Sequence, residues 1–244
     1  LLFWVAVATQ SQAQNLNTAK LDAYFDSLAT HNRFMGSVAV ARKGELLYAK
    51  SIGFVDVEQQ LPAHAGAKYR IGSITKTFTT VLVMKAVELK KVKLDQSIHK
   101  YFSQIENAKS ITVRQLLQHR SGIANFTNHP DYLTYHTEPK SKAEMLALIA
   151  KGGSVFTPDS RAEYSNANFV LLTFLLEKLF KKPYAELLQE YIAQPLGLEN
   201  TYLGGPAQVE KNECRSYRYA DGWVLEPETD ISIPLGAGGI VSTT

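Results

Sequence analysis

The chain has 244 residues, of which 45% are hydrophobic and 20% are charged. This composition is typical of a globular protein with a full core, arranged as one large domain or as two interleaved lobes. The formal net charge is only +3 and the basic residues are scattered, so the sequence gives no reason to expect nucleic-acid binding.

The N-terminal residues resemble the end of a secretory signal peptide. An apolar run from Leu1 to Ala8 precedes small residues at Ser11 and Ala13, which suit a cleavage site. The run is too short to span a bilayer, and the alternative is an ordinary apolar segment. We expect residues 1–13 to be a signal-peptide remnant and the protein to be periplasmic or secreted. The single Cys214 can form no internal disulfide.

The next fifty residues predict one helix and one hairpin. Asn17 or Thr18 can cap a helix whose apolar residues recur at helical spacing. Gly36 to Ala41 and Glu45 to Phe54, joined by a Lys-Gly turn, are typical of an antiparallel strand pair. The stretch from Gly53 to Lys68 is expected to be a loop.

A buried helix is predicted from Ile74 to Leu89, because apolar residues occur on every side of its helical wheel. Residues three apart share a helix face, so Ser73 and Lys76 lie one turn apart at its start. A hydroxyl becomes a good nucleophile when a neighbouring base removes its proton, and a partly buried lysine can be that base. The helix N-terminus also favours developing negative charge. Ser73 is therefore the candidate nucleophile.

The spacing of these two residues is weak evidence when taken alone. Ser97-Ile98-His99-Lys100 has the same Ser-x-x-Lys spacing but lacks a preceding glycine and a long apolar helix. A purely structural alternative is that Ser73 and Lys76 are ordinary polar residues at a helix start.

The chain from about residue 91 to residue 200 is predicted to be mainly helical. Capping boxes begin helices after Thr112 and Ser141. A long apolar helix is predicted from Asn166 to Lys181, and another from Pro183 to Gln194. Beyond this region the pattern changes to short extended segments, such as those at 217–219 and 223–225. Ser242 is placed like the cap of a further helix.

The six histidines show no spacing typical of metal ligands. His119, His129 and His136 are close to Asp131 only in sequence. We predict that they are surface or helix-packing residues, and we expect neither a metal nor any other cofactor.

Tyr164-Ser165-Asn166 is the only Tyr-x-Asn sequence among the twelve tyrosines. A phenol beside a lysine ammonium can be held ionised or can shuttle a proton, and an asparagine amide can both donate and accept hydrogen bonds. In this hypothesis Ser73 is the nucleophile, Lys76 the proton carrier and Tyr164 the general base or acid. Taken alone, the triplet is better explained as a loop that caps the next helix.

Five motifs together resemble the class C β-lactamase-like serine hydrolases, which include β-lactamases, penicillin-binding DD-peptidases, D-amino-acid peptidases and esterases. Their order and rough spacing match that family over nearly the whole chain. The motifs are Gly72-Ser73-Ile74-Thr75-Lys76, Leu116-Leu117-Gln118-His119-Arg120-Ser121-Gly122-Ile123, Tyr164-Ser165-Asn166, Pro195-Leu196-Gly197-Leu198 and Gly238-Gly239-Ile240-Val241-Ser242-Thr243.

The resemblance implies an α+β fold in which an antiparallel sheet is flanked by helices and carries an inserted all-helical lobe at about 91–200, within a domain at 14–244. It also implies that Ser73 becomes acylated, that Lys76 and Tyr164 manage its proton and that Asn166 binds a substrate amide. The expected substrates are small molecules or peptides with a reactive carbonyl, such as a β-lactam, a D-amino-acid peptide or an ester.

The chain departs from the family pattern in three places. No Lys-Thr-Gly or His-x-Gly follows Tyr164, so we expect the late strands to be missing, the domain to be incomplete, turnover to be low and an exposed sheet edge to promote aggregation. Pro158-Asp159 replaces the usual Pro-Gly, and the turn is expected to persist because aspartate tolerates left-handed backbone. Arg120 stands where threonine is common and has no predicted role.

Two functions remain open at this stage. The leading hypothesis is a secreted serine acyl hydrolase that cleaves an amide, lactam or ester. The alternative is a non-catalytic protein that keeps the fold and binds cell-wall peptides or penicillin. The retained Ser73, Lys76 and Tyr164 favour the enzyme, while the missing third motif favours the binding protein. The sequence does not identify the physiological substrate or the oligomeric state.

Overall fold

The computed structural model describes residues 16–244, so the predicted signal-peptide remnant at 1–13 lies outside the described residues. The helices are α1 (Thr18–Thr30), α2 (Thr75–Glu88), α3 (Val113–Leu117), α4 (Tyr132–Tyr135), α5 (Lys142–Gly152), α6 (Asn166–Phe180), α7 (Tyr184–Leu188) and α8 (Gln194–Leu196). The strands are β1 (Gly36–Arg42), β2 (Glu45–Ile52), β3 (Phe54–Asp56), β4 (Leu61–Pro62), β5 (Tyr69–Arg70), β6 (Tyr202–Leu203), β7 (Tyr217–Tyr219), β8 (Trp223–Leu225) and β9 (Ile240–Ser242).

The helix starts follow from local hydrogen bonding, and the capping predictions are confirmed. The Asn17 side chain accepts a hydrogen bond from the Lys20 N–H at the start of α1. Thr112 and Ser141 both form complete capping boxes at α3 and α5. A π-helical turn at Gln189–Ala193 joins α7 to α8, so the helix predicted from Pro183 continues to Leu196.

The β1–β2 hairpin is antiparallel and packs against α1. Tyr48 Oη donates to Asp22 Oδ1 at 2.9 Å, and the Lys50 ammonium lies 3.0 Å from the same oxygen. Ser37 Oγ is hydrogen-bonded to Tyr69 Oη at 2.7 Å, which ties the hairpin to β5. Within residues 16–244, β1 and β2 pair only with each other.

One local prediction is wrong. The predicted loop from Gly53 to Lys68 contains the antiparallel pair β3–β4. Ser242 is the last residue of β9, the central strand of the antiparallel order β5-β9-β6, and pairs with Tyr69; its role as a helix cap stays a prediction. Its hydroxyl is hydrogen-bonded to Thr201 Oγ1 at 2.9 Å. A short glycine-rich segment can become a strand when two neighbouring strands supply its ladder, which local sequence cannot show.

The core is centred on α6, which is buried on all sides from Ala167 to Leu176. This helix packs against α2 and against a short 3-10 turn at Leu235–Ala237. The helices α3 to α8 fall within the range predicted for the helical lobe, whose existence as a separate unit stays a prediction. None of the helices described for residues 16–244 is long and apolar enough to cross a membrane.

The turn at Leu235–Ala237 is fixed between α2 and α6 by buried hydroxyl groups. Thr79 Oγ1 donates to the Gly236 carbonyl at 2.6 Å, and the Gly236 N–H donates to Thr173 Oγ1 at 3.2 Å. Tyr184 Oη lies 2.7 Å from Thr79 Oγ1 and completes the cluster. The space at Gly236 is therefore filled by groups that cannot rotate away without losing hydrogen bonds.

The substitution Gly236→Ala should destabilise the fold by about 1–3 kcal/mol, because the added methyl group overpacks this site. A Cβ atom at Gly236 would overlap Thr173 Oγ1 and would lie 2.7 Å from Thr79 Oγ1. Gly205→Ala is the matched control, since a Cβ atom there meets nothing within 4 Å. Urea unfolding of the two variants measures the difference. Equal stability of Gly236→Ala and wild type would contradict this account of the turn.

Candidate active site

Ser73 lies in a 3-10 turn, Gly72–Ile74, immediately before α2. Gly72 has a φ of +53°, a left-handed conformation that favours glycine. This turn places the Ser73 side chain at the surface, where its Oγ is 2.6 Å from the phenolic oxygen of Tyr164. The predicted nucleophile is therefore accessible and in direct contact with the predicted acid or base.

Lys76 lies one turn further along α2 and is only 7% exposed. Its ammonium donates to Ser73 Oγ at 3.2 Å, to Asn166 Oδ1 at 2.8 Å and to the Ala237 carbonyl at 2.5 Å. These three acceptors use all three of its N–H bonds, which is the arrangement expected of a protonated lysine. Burial lowers the pKa of Lys76 below its usual value, while contact with Tyr164 acts in the opposite direction.

The Tyr164-Ser165-Asn166 segment leads into α6. Asn166 Nδ2 donates to Thr127 Oγ1 at 3.1 Å, so the amide is held between Thr127 and Lys76. The first N–H of α6 is capped by Asn125 Oδ1 at 3.0 Å, and the Ser165 side chain makes no capping bond. The side chains of Ser165 and Asn166 therefore do not cap α6, contrary to the alternative explanation of this segment.

The second Ser-x-x-Lys sequence serves a structural purpose. Ser97 accepts a hydrogen bond from the His99 N–H and donates to the Ala108 carbonyl at 2.8 Å, so it caps a short 3-10 turn. The structure thus brings together Ser73, Lys76, Tyr164 and Asn166 and leaves Ser97 outside the site.

A cavity of about 130 Å³ opens beside Ser73 and is mainly apolar. Its apolar lining includes Phe126, Tyr132, Ile233 and Pro234. A larger cavity of about 490 Å³ lies nearby and shares Phe126, but neither Ser73 nor Lys76 lines it. The smaller cavity is the candidate substrate pocket, because a reacting carbonyl must reach the nucleophile.

His119 belongs to the site, although the sequence predicted a surface or helix-packing role for it. Its imidazole ring lies 4.6 Å from the Tyr164 ring and 5.3 Å from the Phe169 ring, measured between centroids. Burial and, secondarily, the charge of Lys76 lower the pKa of His119 below 6.5. Its position directly before Arg120-Ser121-Gly122 in a family motif was the available signal, but no local pattern connects that motif to Tyr164.

Two departures from the family pattern contact each other. Arg120 Nε donates to Asp159 Oδ1 at 2.5 Å, and its guanidinium also donates to the Asp159 carbonyl. Asp159 has a φ of +71°, which confirms the left-handed turn expected after Pro158. Arg120, which had no predicted role, thus fastens the loop that leads to Tyr164.

The described part of the chain contains no group of three or more His, Cys, Asp or Glu side chains that could hold a metal ion.

A family model described as "Beta-lactamase" matches residues 21–244. A teichoic acid D-alanine hydrolase of Staphylococcus aureus is 26% identical over 200 residues, which cover 82% of this chain and 48% of that protein. The chain thus spans about half the length of the curated relatives it matches.

Solved structures with the same fold include a D-amino acid amidase from Ochrobactrum anthropi SV3 in complex with D-phenylalanine. It is 28% identical with a TM-score of 0.77, covering 91% of this chain and 67% of that chain. The octameric penicillin-binding protein homologue from Pyrococcus abyssi is also 28% identical, with a TM-score of 0.78 and coverage of 93% and 54%. The predicted family resemblance and α+β fold class are confirmed.

Burial of the Lys76 ammonium should make the free energy of unfolding depend on pH in the alkaline range. Because the folded-state pKa of Lys76 lies below 10.5, the unfolded chain binds the extra proton between the two values. The free energy of unfolding of wild type, minus that of Lys76→Met, should therefore rise as pH increases towards 10.5. Chemical denaturation across alkaline pH measures this difference. A difference that falls with pH would show that the fold raises the pKa of Lys76 instead of lowering it.

Proposed function

Since the chain belongs to the β-lactamase family, we propose that it is a serine acyl hydrolase that works through a covalent acyl-Ser73 intermediate. The observation that carries this proposal is the contact of Ser73 Oγ with both Tyr164 Oη, at 2.6 Å, and the Lys76 ammonium, at 3.2 Å. Stabilising the start of a helix does not require a phenol from a distant segment. Activating a serine hydroxyl does require a neighbouring base.

Tyr164 is the base in the acylation step. In its protonated form Lys76 donates its three N–H bonds to Ser73 Oγ, Asn166 Oδ1 and the Ala237 carbonyl, and that form has no lone pair to receive a proton. In the proposed step Tyr164 acts as a phenolate, and the ammonium, 4.8 Å from the centre of its ring, supplies the opposite charge. Ser73 Oγ attacks the carbonyl carbon while its proton moves to Tyr164 Oη, and a tetrahedral oxyanion forms.

Collapse of that intermediate completes the transfer. The bond from the carbonyl carbon to the leaving oxygen or nitrogen breaks, and Tyr164 returns its proton to that atom. Water then attacks acyl-Ser73 and gives a proton to the Tyr164 phenolate. As the bond between the acyl carbon and Ser73 Oγ breaks, Tyr164 passes that proton to Ser73 Oγ, which releases the acid and restores both the hydroxyl and the phenolate. The backbone N–H of Ser73, at the start of α2, is the proposed donor to the oxyanion.

The proposed substrates are small acyl esters and amides, with D-aminoacyl compounds first among them. The cavity of about 130 Å³ has room for a short acyl chain, and its apolar wall favours a methyl or larger apolar group. The names of two relatives support the D-aminoacyl class, since one hydrolyses teichoic acid D-alanine and the other is a D-amino acid amidase. Asn166, at the cavity edge, is the group proposed to bind a substrate amide.

We further propose that the protein is periplasmic or secreted. The apolar start of the chain supports export. The relative that acts on teichoic acid, according to its name, supports an extracytoplasmic site of action.

Covalent labelling of Ser73 tests the proposal directly. The chain should be acylated by p-nitrophenyl acetate and by D-alanyl p-nitrophenyl ester, with the added mass located on Ser73 by peptide mass spectrometry. Ser73→Ala should abolish labelling. Tyr164→Phe, which keeps the ring and removes only Oη, should slow acylation by about 10²–10⁴-fold, because general base catalysis is lost.

Ser97→Ala is the matched control for the Ser-x-x-Lys spacing. Removing this cap should cost about 1 kcal/mol of stability, yet it should leave the acylation rate of Ser73 unchanged. Labelling that persists in Ser73→Ala would refute the proposed nucleophile. Tight binding of the same esters without any acylation would instead support the non-catalytic alternative.

A further inference from the structure

The imidazole of His119 occupies a central place beside the reacting groups, yet the proposed proton transfers do not use it. The residue has a φ of +56°, and its ring packs against the Tyr164 ring with an angle of 33° between the two planes. The centre of the Phe169 ring lies 5.3 Å from the centre of the His119 ring. Lys76 Nζ lies 4.8 Å from the centre of the Tyr164 ring. His119 thus packs against the Tyr164 ring, which in turn lies next to the Lys76 ammonium.

A directional chain of hydrogen bonds defines the protonation of this imidazole. The Ile123 N–H donates to Ser121 Oγ at 3.1 Å, and the Ser121 hydroxyl donates to Asn168 Oδ1 at 2.6 Å. The Asn168 Nδ2 group therefore faces His119 and donates to its Nδ1 at 3.3 Å. The Ser165 N–H donates to the same nitrogen at 3.2 Å. Nδ1 must accept, so the proton of the neutral ring is on Nε2.

The second of these donors connects His119 to the reaction. Ser165 stands between Tyr164 and Asn166, and fixing its N–H fixes the backbone from which both side chains project. The Glu163 N–H also donates to the His119 carbonyl at 2.9 Å, so one residue holds the segment at two successive points. A displacement of about 1 Å in a reacting group can cost about 10²-fold in rate.

We propose that His119 is a positioning residue for acyl transfer: its unprotonated Nδ1 and its ring hold Tyr164 and Asn166 in place against Ser73 and Lys76. This inference rests on the proposed function and adds to it a residue that does not touch the substrate. It predicts that acylation requires the neutral form of His119.

Protonation of the imidazole would oppose this arrangement in two ways. An N–H at Nδ1 would face the N–H groups of Ser165 and Asn168, and a second positive charge would lie near Lys76. The titratable groups that face the ring are Lys76 from α2 and Tyr164 from the loop, since α6 presents only Asn168 and Phe169. Burial and the Lys76 charge lower the pKa of His119, which preserves the neutral form to a pH below 6.5.

The charged residues next in sequence are neutralised locally. Arg120 pairs with Asp159, and Glu163 pairs with Arg161 at 2.9 Å. They therefore add little net field at the imidazole.

Two substitutions of His119 test the hydrogen-bond acceptor without straining the backbone. Asparagine and glycine both tolerate the left-handed φ of this position. His119→Asn replaces Nδ1 with Oδ1, an acceptor that does not titrate. His119→Gly removes the acceptor and the ring. His31→Asn, at the exposed end of α1, is the control for loss of a histidine.

The measurement is the rate of Ser73 acylation by p-nitrophenyl acetate as a function of pH, at ester concentrations that separate binding from the acylation step. His119→Gly should slow the acylation step by about 10²-fold with little change in ester binding. His119→Asn should recover most of the rate and lose the decline that wild type shows below pH 6.5. His31→Asn should match wild type throughout.

Either of two results would overturn the inference: a wild-type acylation rate in His119→Gly, or an unchanged acid decline in His119→Asn. Nitrogen-15 NMR gives a second test that needs no catalysis, because neutral His119 must show its proton on Nε2. A proton on Nδ1 at neutral pH would also overturn it. Failure of wild type to label at Ser73 would count against the proposed function, and the NMR result would still decide the placement of the His119 proton.

Discussion

The ammonium of Lys76 holds the candidate site together. Its three acceptors come from three separate parts of the chain: the turn before α2, the start of α6 and the turn at Leu235–Ala237. A cation that is 7% exposed is costly to bury unless each N–H finds a partner, so the three segments cannot separate without leaving an unsatisfied charge. The position of Ser73 Oγ is in this way coupled to the packing of α2 against α6.

The same constraint explains why the site lies where buried and exposed surfaces meet. Ser73 and Tyr164 are exposed, as a substrate and a hydrolytic water require, while the charge that activates them lies beneath. The ammonium is largely shielded from solvent, so the electrostatic effect of Lys76 on the phenol is stronger than at a fully hydrated surface. The hydroxyl cluster of Thr79, Thr173 and Tyr184 then fixes the turn that supplies the Ala237 carbonyl.

Capping signals and helical periodicity predicted the helices that carry this site, but not the contacts between distant segments that hold it together. The caps at Thr112 and Ser141, the apolar helix from Asn166 and the start of α2 all depend on residues within one turn of one another, so the sequence was sufficient. The strand pair within the stretch from Gly53 to Lys68 was missed because it is short and irregular, and the pairing of Ser242 with Tyr69 was missed because the two residues are distant in sequence. The role of Ala237 could not be predicted at all, since a backbone carbonyl leaves no signature in the side-chain pattern.

His119 and Arg120 show most clearly what a motif conveys. As part of a family motif they indicate membership, but the structure gives each a different physical role. Arg120 anchors the loop through Asp159, and the His119 ring supports Tyr164 from behind. Replacement of the usual glycine by Asp159 supplies a carboxylate that glycine cannot offer, and replacement of the usual threonine by Arg120 supplies its partner. The two departures therefore compensate each other, and the segment that carries Tyr164 keeps both its left-handed turn and its attachment to the residues that follow α3.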